Sequence, residues 1–358
     1  MVSNPATPAI PKIDFYSDTI TRPTKAMRQA MAEAEVGNEQ AGEDPTVNRL
    51  CAMTAELLGK EAAVFLPSGT MCNQIAYRVW CAPGQEILLE KSSHALHFEV
   101  GGLAANAGAM TRTIEGRRGL FTADQVREGI RAPHGHHTQR TALVSVENTA
   151  NMGGGTVWPI DQLREVAAAA REQGIPVHMD GARLPNAVVA SSTSAAEYAA
   201  EVDSVWIDLS KGLGCPVGAV LAGTEAFIDK VWSFKHMYGG AMRQAGIIAA
   251  AGVYAFEHHF DRLAEDHANA RRLAQGLAEI EGIAVNANEI DTNMVFFDVA
   301  GLGATAAEFA GRMARDHDIR IGPMGPTLIR AVTHLDVDAA GVEETIAAAK
   351  TVASSLKA

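Results

Sequence analysis

Two apolar stretches of this chain end on reactive side chains: residues 177–183 read Val-His-Met-Asp-Gly-Ala-Arg and residues 205–214 read Val-Trp-Ile-Asp-Leu-Ser-Lys-Gly-Leu-Gly. Each is a strand-like run that breaks into a turn, so a carboxylate (Asp180), a guanidinium (Arg183) and an amine (Lys211) are delivered at successive strand ends. An amine so placed can condense with an aldehyde, and a carboxylate can keep a pyridine nitrogen protonated. Those are the two demands that pyridoxal 5'-phosphate makes on a protein. Turn chemistry by itself also accounts for Ser-Lys-Gly, so the reading rests on the residues that accompany it.

The first companion is Pro67-Ser68-Gly69-Thr70, which follows the apolar run 62–66 and opens the next helix. Free backbone N–H groups, the positive end of the helix dipole, hydroxyls at Ser68 and Thr70 and the small Gly69 make a phosphate site there. Simple helix capping by Ser68 or Thr70 is the plainer alternative. The second is His94, in Ser92-Ser93-His94 after the run 86–89, whose imidazole can lie on a conjugated ring or move a proton. His134, His136 and His137 form a denser group, yet they lack a cysteine or acidic co-ligand, and no metal is expected. Arg243, in the glycine-rich Tyr-Gly-Gly-Ala-Met-Arg-Gln of residues 238–244, can reach a phosphate, including one held in a neighbouring subunit. Arg330, in Leu-Ile-Arg-Ala-Val of residues 328–332, suits bidentate capture of a substrate carboxylate.

Alternating patterns predict the elements that position these groups. Helical spacing covers 27–34, 47–58, a helix from 68 to 77, 161–173, a two-part stretch 244–282, 304–316 and 338–356. Strand-like runs cover 62–66, 86–89, 142–146, 177–179, 205–209, 219–221, 294–299, 319–321 and 329–332. The alternation predicts an α/β fold, a large domain with a mainly parallel sheet flanked by helices, plus a small C-terminal α+β domain. Boundaries fall at an N-terminal segment 1–17, a large domain 18–258 and a small domain 259–358.

Composition narrows the functional classes. With 358 residues, 47% hydrophobic and 20% charged, the chain is long enough for a large domain and a smaller one with ample core. A net charge of -12 argues against nucleic acid or an anionic membrane as a partner, so an anionic cofactor or substrate must be met by local cations. Cys51, Cys72, Cys81 and Cys215 have neither C-x-x-C spacing nor disulfide-framework density. Residues 1–12 carry no apolar signal-peptide core, and no apolar run reaches the roughly 20 residues of a membrane span. The expected location is cytoplasmic.

Taken in order, several segments resemble the low-specificity L-threonine aldolases of the pyridoxal-phosphate fold-type I superfamily, over nearly the whole chain. They are Ser17-Asp18-Thr19 with Thr21-Arg22-Pro23, Gly-Glu-Asp-Pro-Thr-Val at 42–47, residues 59–63 and 65–70, Ser-Val-Glu-Asn-Thr at 145–149, residues 178–183 and 209–214, and residues 239–244, 291–294 and 332–336. The resemblance implies that Lys211 carries the cofactor, that Asp180 partners the pyridine nitrogen, and that Arg183 lies near the phenolate oxygen and the substrate carboxylate. It makes Ser68, Gly69 and Thr70 the phosphate loop, His94 the histidine stacked on the ring, His137 a second active-site histidine, and Ser17 with Arg330 a carboxylate clamp. It also implies a homotetramer with active sites at subunit interfaces. The activity implied is retro-aldol cleavage of the Cα–Cβ bond in L-threonine, L-allo-threonine and phenylserine-type substrates to glycine and an aldehyde, with His94, His137 or a water they position as base.

The chain departs from that family's pattern at Ala41, where a tyrosine is usual, at Ala150, where a histidine is usual, and at Tyr16 and His236. These positions bear on substrate preference. Two other readings stay open: a β-eliminating amino-acid lyase on the same fold, which would yield pyruvate and ammonia, and a non-catalytic interaction protein, which would be colourless. A dinucleotide site at Gly212-Leu213-Gly214 lacks the third glycine, since Val217 occupies it.

Overall fold

The computed structural model describes residues 10–131 and 136–357; His134 of the histidine group lies outside them. The chain divides into two units, one of Thr21–Glu265 and one that joins residues up to Ile20 with Asp266 onward. The sequence reading placed the corresponding boundaries at 17/18 and 258/259.

In the larger unit seven strands form one sheet: β1 Ala62–Leu66, β2 Glu86–Glu90, β3 Met110–Ile114, β4 Thr141–Glu147, β5 Val177–Gly181, β6 Ser204–Asp208 and β7 Ala219–Gly223. Their order is β1-β7-β6-β5-β4-β2-β3, with β7 antiparallel to both neighbours and all other pairs parallel. Two reversals cancel, so β1 runs in the same direction as β6. Every residue of β2, β5, β6 and β7 is buried, which explains why these strands read as continuous apolar runs.

The helices that flank the sheet have local reasons for their ends. Helix α1, Pro45–Leu58, starts with proline at its first position; the Asp44 carboxylate accepts from the Thr46 and Val47 amides at 3.1 and 3.0 Å, and Gly59 closes it at φ 59°. Helix α2, Gly69–Trp80, is capped by Ser68, whose Oγ accepts from the Met71 amide at 3.2 Å. Helix α3 is Ile160–Arg171, and α4, Leu184–Ala190, leaves the end of β5 directly after Arg183. Helix α5, Gly246–His258, is rich in small residues because it packs closely on α1: a Cβ at Gly252 would lie 2.8 Å from Leu50 Cδ1. Leu50, Val144, Met179, Trp158 and Leu209 lie in the core shared by sheet and helices.

The smaller unit has a three-stranded antiparallel sheet of β8 Met294–Asp298, β9 Gly322–Pro323 and β10 Leu328–Val332, ordered β9-β10-β8. Helices α6, Ala306–His317, and α7, Ala339–Lys357, bury Phe309, Met313 and Val342 in the core that also holds Phe297. Ile13–Asp14 pairs with Ile319–Arg320, which is why the first described residues belong with the last hundred. No described helix is long and apolar enough to cross a membrane.

Candidate active site

Strand direction decides where the chemistry gathers. In a parallel sheet, ligands bind beyond the carboxyl ends of the strands, and here Glu147 at the end of β4 is the register partner of Asp180, which in turn pairs with Trp206 of β6. Asp208 ends β6, and β1 delivers Ser68 and α2 to the same edge. The two sequence segments that end on Asp180 and Lys211 are therefore adjacent strand ends.

Lys211 is nearly enclosed, with 12% of its side chain exposed, and its Nζ lies 2.9 Å from Asp208 Oδ2 and 5.6 Å from the centre of the Trp206 ring. Asp208 is held in turn by the amide and hydroxyl of Ser210, both at 2.8 Å from Oδ1. Thr21 Oγ1 donates to the Lys211 carbonyl at 2.9 Å, and the Gly214 amide donates to the same oxygen at 2.9 Å, which closes the turn that presents the lysine.

Asp180 is buried, with Oδ1 accepting from the Ala182 amide at 3.1 Å and Oδ2 accepting from Asn73 Nδ2 at 2.8 Å. Asn73 Nδ2 also donates to Glu99 Oε1 at 2.7 Å, and Glu99 Oε1 lies 3.1 Å from His94 Nδ1. One potential ligand atom from each of His94, Glu99 and Asp180 falls within 4.8 Å of the others. Glu99 Oε2 is buried with no hydrogen-bond partner among the described residues. The His94 amide donates to Glu147 Oε2 at 2.8 Å, so Glu147 anchors the turn that carries the histidine.

The electrostatics of this group are those of a secluded site. Burial, helped by the nearby charge of Asp180, raises the Glu147 pKa to about 7. For His94, burial works against the charged form and is the largest influence. The hydrogen bond to Glu99 and the charge of Asp180 outweigh it, and the pKa stands above the ordinary histidine value.

The residues present fit a phosphorylated pyridine aldehyde. Helix α2 leaves its first-turn amides without intrahelical partners, and Ser68 takes only that of Met71, so the amides of Gly69 and Thr70 are free to meet an anion. Gly69 is a cradle in the literal sense: a Cβ there would sit 2.2 Å from Trp206 Cη2 and 3.1 Å from Asp208 Oδ2. Gly69→Ala is expected to cost about 1–3 kcal/mol of stability by overpacking. It should also weaken cofactor retention, and a thermal melt together with a dialysis measurement reads both. An unchanged melting temperature would show that the aromatic floor yields.

Arg183 is buried beside the end of β5. His137 is exposed in the segment that precedes Thr141, at the amino end of β4, and a seven-residue strand separates the two edges by roughly 20 Å. Within one chain the strand's direction therefore carries His137 away from Asp180. Arg243 is exposed on the glycine-rich turn, whose carbonyl at 243 accepts from the Glu39 amide at 3.0 Å. That turn is secured by the fully buried Lys235–Glu39 pair at 2.8 Å, with Glu39 also accepting from the Met242 amide. Ser17 and Arg330 belong to the smaller unit. Ser17 is buried and its Oγ accepts from Thr19 Oγ1 at 2.9 Å, and Arg330, opposite Phe296 in β10, donates to the Tyr16 carbonyl at 3.4 Å.

A family model described as beta-eliminating lyase matches residues 14–300. The chain belongs to this family. Among curated relatives of this chain, the low specificity L-threonine aldolase of Escherichia coli (strain K12) is 41% identical over 326 residues, covering 91% of this chain and 94% of the other. Low-specificity L-threonine aldolase 1 of Arabidopsis thaliana is 36% identical over 337 residues, covering 93% and 94%. A solved structure of threonine aldolase from Leishmania major superposes with a TM-score of 0.81 at 19% identity, covering 96% of this chain and 99% of that one. The aspartate aminotransferase of Rhizobium meliloti gives 0.69 at 14% identity, covering 96% and 92%. The shared architecture is that of the pyridoxal-phosphate fold-type I proteins, with a mostly parallel sheet in the large unit and a small antiparallel sheet in the other.

Sequence reading missed Asn73, Glu99, Glu147 and Asp208 as members of the site. Asp208 stood inside the quoted Ile-Asp-Leu-Ser-Lys run, and Glu147 inside a matched segment, so both were marked by position. Asn73 and Glu99 were not, because their partners lie on other elements.

Proposed function

We propose that this chain is a pyridoxal-phosphate-dependent aldehyde-lyase of the threonine aldolase type, which cleaves the Cα–Cβ bond of β-hydroxy-α-amino acids to glycine and an aldehyde. L-threonine and L-allo-threonine are the expected substrates, with phenylserine-type compounds included because Ala41 is small. The observation that carries the reading is the convergence of Lys211, Asp180 and the amino end of α2 on one edge of one sheet. The names of the relatives support it.

The chemistry supplied by bound pyridoxal phosphate is electron withdrawal by a protonated ring conjugated with the substrate nitrogen. The protein's part is to hold and to move protons. Lys211 offers the amine that tethers the cofactor, Asp180 offers the carboxylate for the ring nitrogen, and Ser68, Gly69 and Thr70 take the phosphate. Arg183 supplies a cation for the phenolate oxygen and the substrate carboxylate, with Ser17 and Arg330 as the clamp that the family resemblance implies. His94 is the base: with Nδ1 committed to Glu99, Nε2 is the nitrogen that takes the β-hydroxyl proton. His137 and Arg243 are both exposed, which leaves them available to the site of a second copy, and a homotetramer is part of the reading. A cytoplasmic location accords with four cysteines that are all unbridged.

Release of acetaldehyde and glycine from L-threonine by the purified, cofactor-loaded protein tests the reading directly. Pyruvate and ammonia in their place would instead favour β-elimination. The His94 assignment has its own check. A base must be deprotonated to act, so kcat/KM should fall as pH drops through a midpoint above 6.5, the unperturbed histidine value. In Glu99→Gln the carboxylate that favours the charged ring is gone while burial remains, and the midpoint should move down. An acid limb that stays in place would remove His94 from the base role.

A further inference from the structure

Behind Asp180 the structure contains a chain of hydrogen bonds in which every donor and acceptor is fixed. Asn73, on α2 and fully buried, makes four: Nδ2 donates to Asp180 Oδ2 at 2.8 Å and to Glu99 Oε1 at 2.7 Å, while Oδ1 accepts from Trp206 Nε1 at 2.7 Å and faces His178 Nε2 at 3.2 Å. That is the full capacity of an amide with two N–H groups and two lone pairs. Its orientation is unambiguous, because an indole nitrogen only donates and carboxylates only accept; a flipped amide would oppose donor to donor and oxygen to oxygen.

The same logic runs further back. Oδ1 of Asn73 can only accept, so His178 carries its proton on Nε2 and its Nδ1 accepts from the Ser204 hydroxyl at 2.8 Å. Ser204 Oγ accepts in turn from Trp80 Nε1 at 2.8 Å. Burial pushes the His178 pKa down to about 4, so at neutral pH this ring is uncharged and keeps its tautomer. A directed file of donors thus runs from Trp80 through Ser204 and His178 to Asn73 and ends on two acids.

We propose that Asn73, held by Trp206 and His178, is the positioning residue for Asp180, and that it links Asp180 to the Glu99–His94 pair. The inference rests on the proposed pyridoxal-phosphate reading and adds to it a residue that touches neither cofactor nor substrate. Asn73 does two things at once. It fixes the rotation of the Asp180 carboxylate, and its amino group stands between Asp180 and Glu99, whose like charges would otherwise meet in a buried space with no intervening donor. His94 feels the same bridge, since Glu99 Oε1 serves both Asn73 and His94.

The test uses the cofactor-loaded protein with Asn73→Ala and with the pair His178→Gln and His178→Phe. Asn73→Ala should lower kcat about 10- to 100-fold, the range for loss of an outer partner that orients a ligating group, with KM for L-threonine changed less than about threefold. It should also shift the visible absorption and circular dichroism of the bound cofactor and raise its dissociation constant about tenfold. His178→Phe, which loses the donor to Asn73, should reproduce the spectral change in smaller measure, and His178→Gln, which keeps a neutral donor, should restore it. A wild-type spectrum and wild-type cofactor affinity in Asn73→Ala would overturn the proposal, whether or not activity falls, because a merely structural role predicts that combination. Should Asn73→Ala not fold, the His178 pair decides: equal spectra for Phe and Gln overturn it, and rescue by Gln sustains it. If the unaltered protein itself shows no cofactor band or releases no aldehyde, it is the functional reading that fails.

Discussion

Lys211→Ala abolishes aldehyde release: the expected fall in kcat/KM is on the order of 10⁴-fold, about 5 kcal/mol of barrier. The reason is positional as much as chemical. The amine lies at the end of a buried strand, 2.9 Å from Asp208 and over the Trp206 ring, in a turn whose carbonyl is held by Thr21 and Gly214. No other described lysine or histidine occupies that place, so nothing takes over when it is removed. The variant should also lose the visible cofactor band that borohydride would otherwise trap covalently on position 211. Circular dichroism in the far ultraviolet should be unaltered, since Asp208 keeps its two bonds from Ser210. Residual activity within tenfold of the parent would refute the tethering role.

The second large effect is expected for Asp180→Asn. The substitution preserves size and leaves an oxygen for the Ala182 amide, yet it replaces a charge with a dipole at the point where a ring proton must be held. It also turns an acceptor of the Asn73 amino group into a residue half donor, so the neighbouring bond at 2.8 Å is set at odds. Loss of one fixed electrostatic partner in a water-poor site typically costs 10²- to 10³-fold, and about 10³-fold in kcat, or about 4 kcal/mol, is expected here. Substrate KM should move far less than kcat, since Arg183 is untouched. Steady-state kinetics with L-threonine read both quantities. Should kcat fall by less than tenfold, ring protonation would have to come from elsewhere.

The strands that build the site were legible because they are largely buried, those of Asp180 and Asp208 on both faces. Ala62–Leu66 matches the run read from sequence at both ends, and the runs at 177–179 and 205–209 lie within a few residues of Val177–Gly181 and Ser204–Asp208. Met110–Ile114 was not read, since Met-Thr-Arg-Thr-Ile is polar and mostly exposed at the sheet edge, where periodicity carries little information. Among site residues, Asp180, Lys211 and the Ser68 loop announced themselves by sitting where an apolar run stops. Asn73 looks like any polar residue of an amphipathic helix, and its four partners come from three other stretches of chain. Glu99 follows a short helix with no pattern to mark it, and only the folded chain brings it to His94. His137 is a different case: resemblance supplied its role, but which edge of the sheet a loop occupies depends on strand direction.

The floor beneath Gly69 comes from Trp206 and Asp208, far downstream in synthesis, and β1 itself finds its partner only in Ala219–Gly223. A chain emerging from the ribosome therefore carries the loop after β1 for most of the translation of this unit with nothing to close it. Non-local pairing of this kind is slow to form. The edge that gathers Gly69, Asp180 and Lys211 is consequently complete only once β6 and β7 have been made, and any ligand that recognises it can reward only the finished sheet.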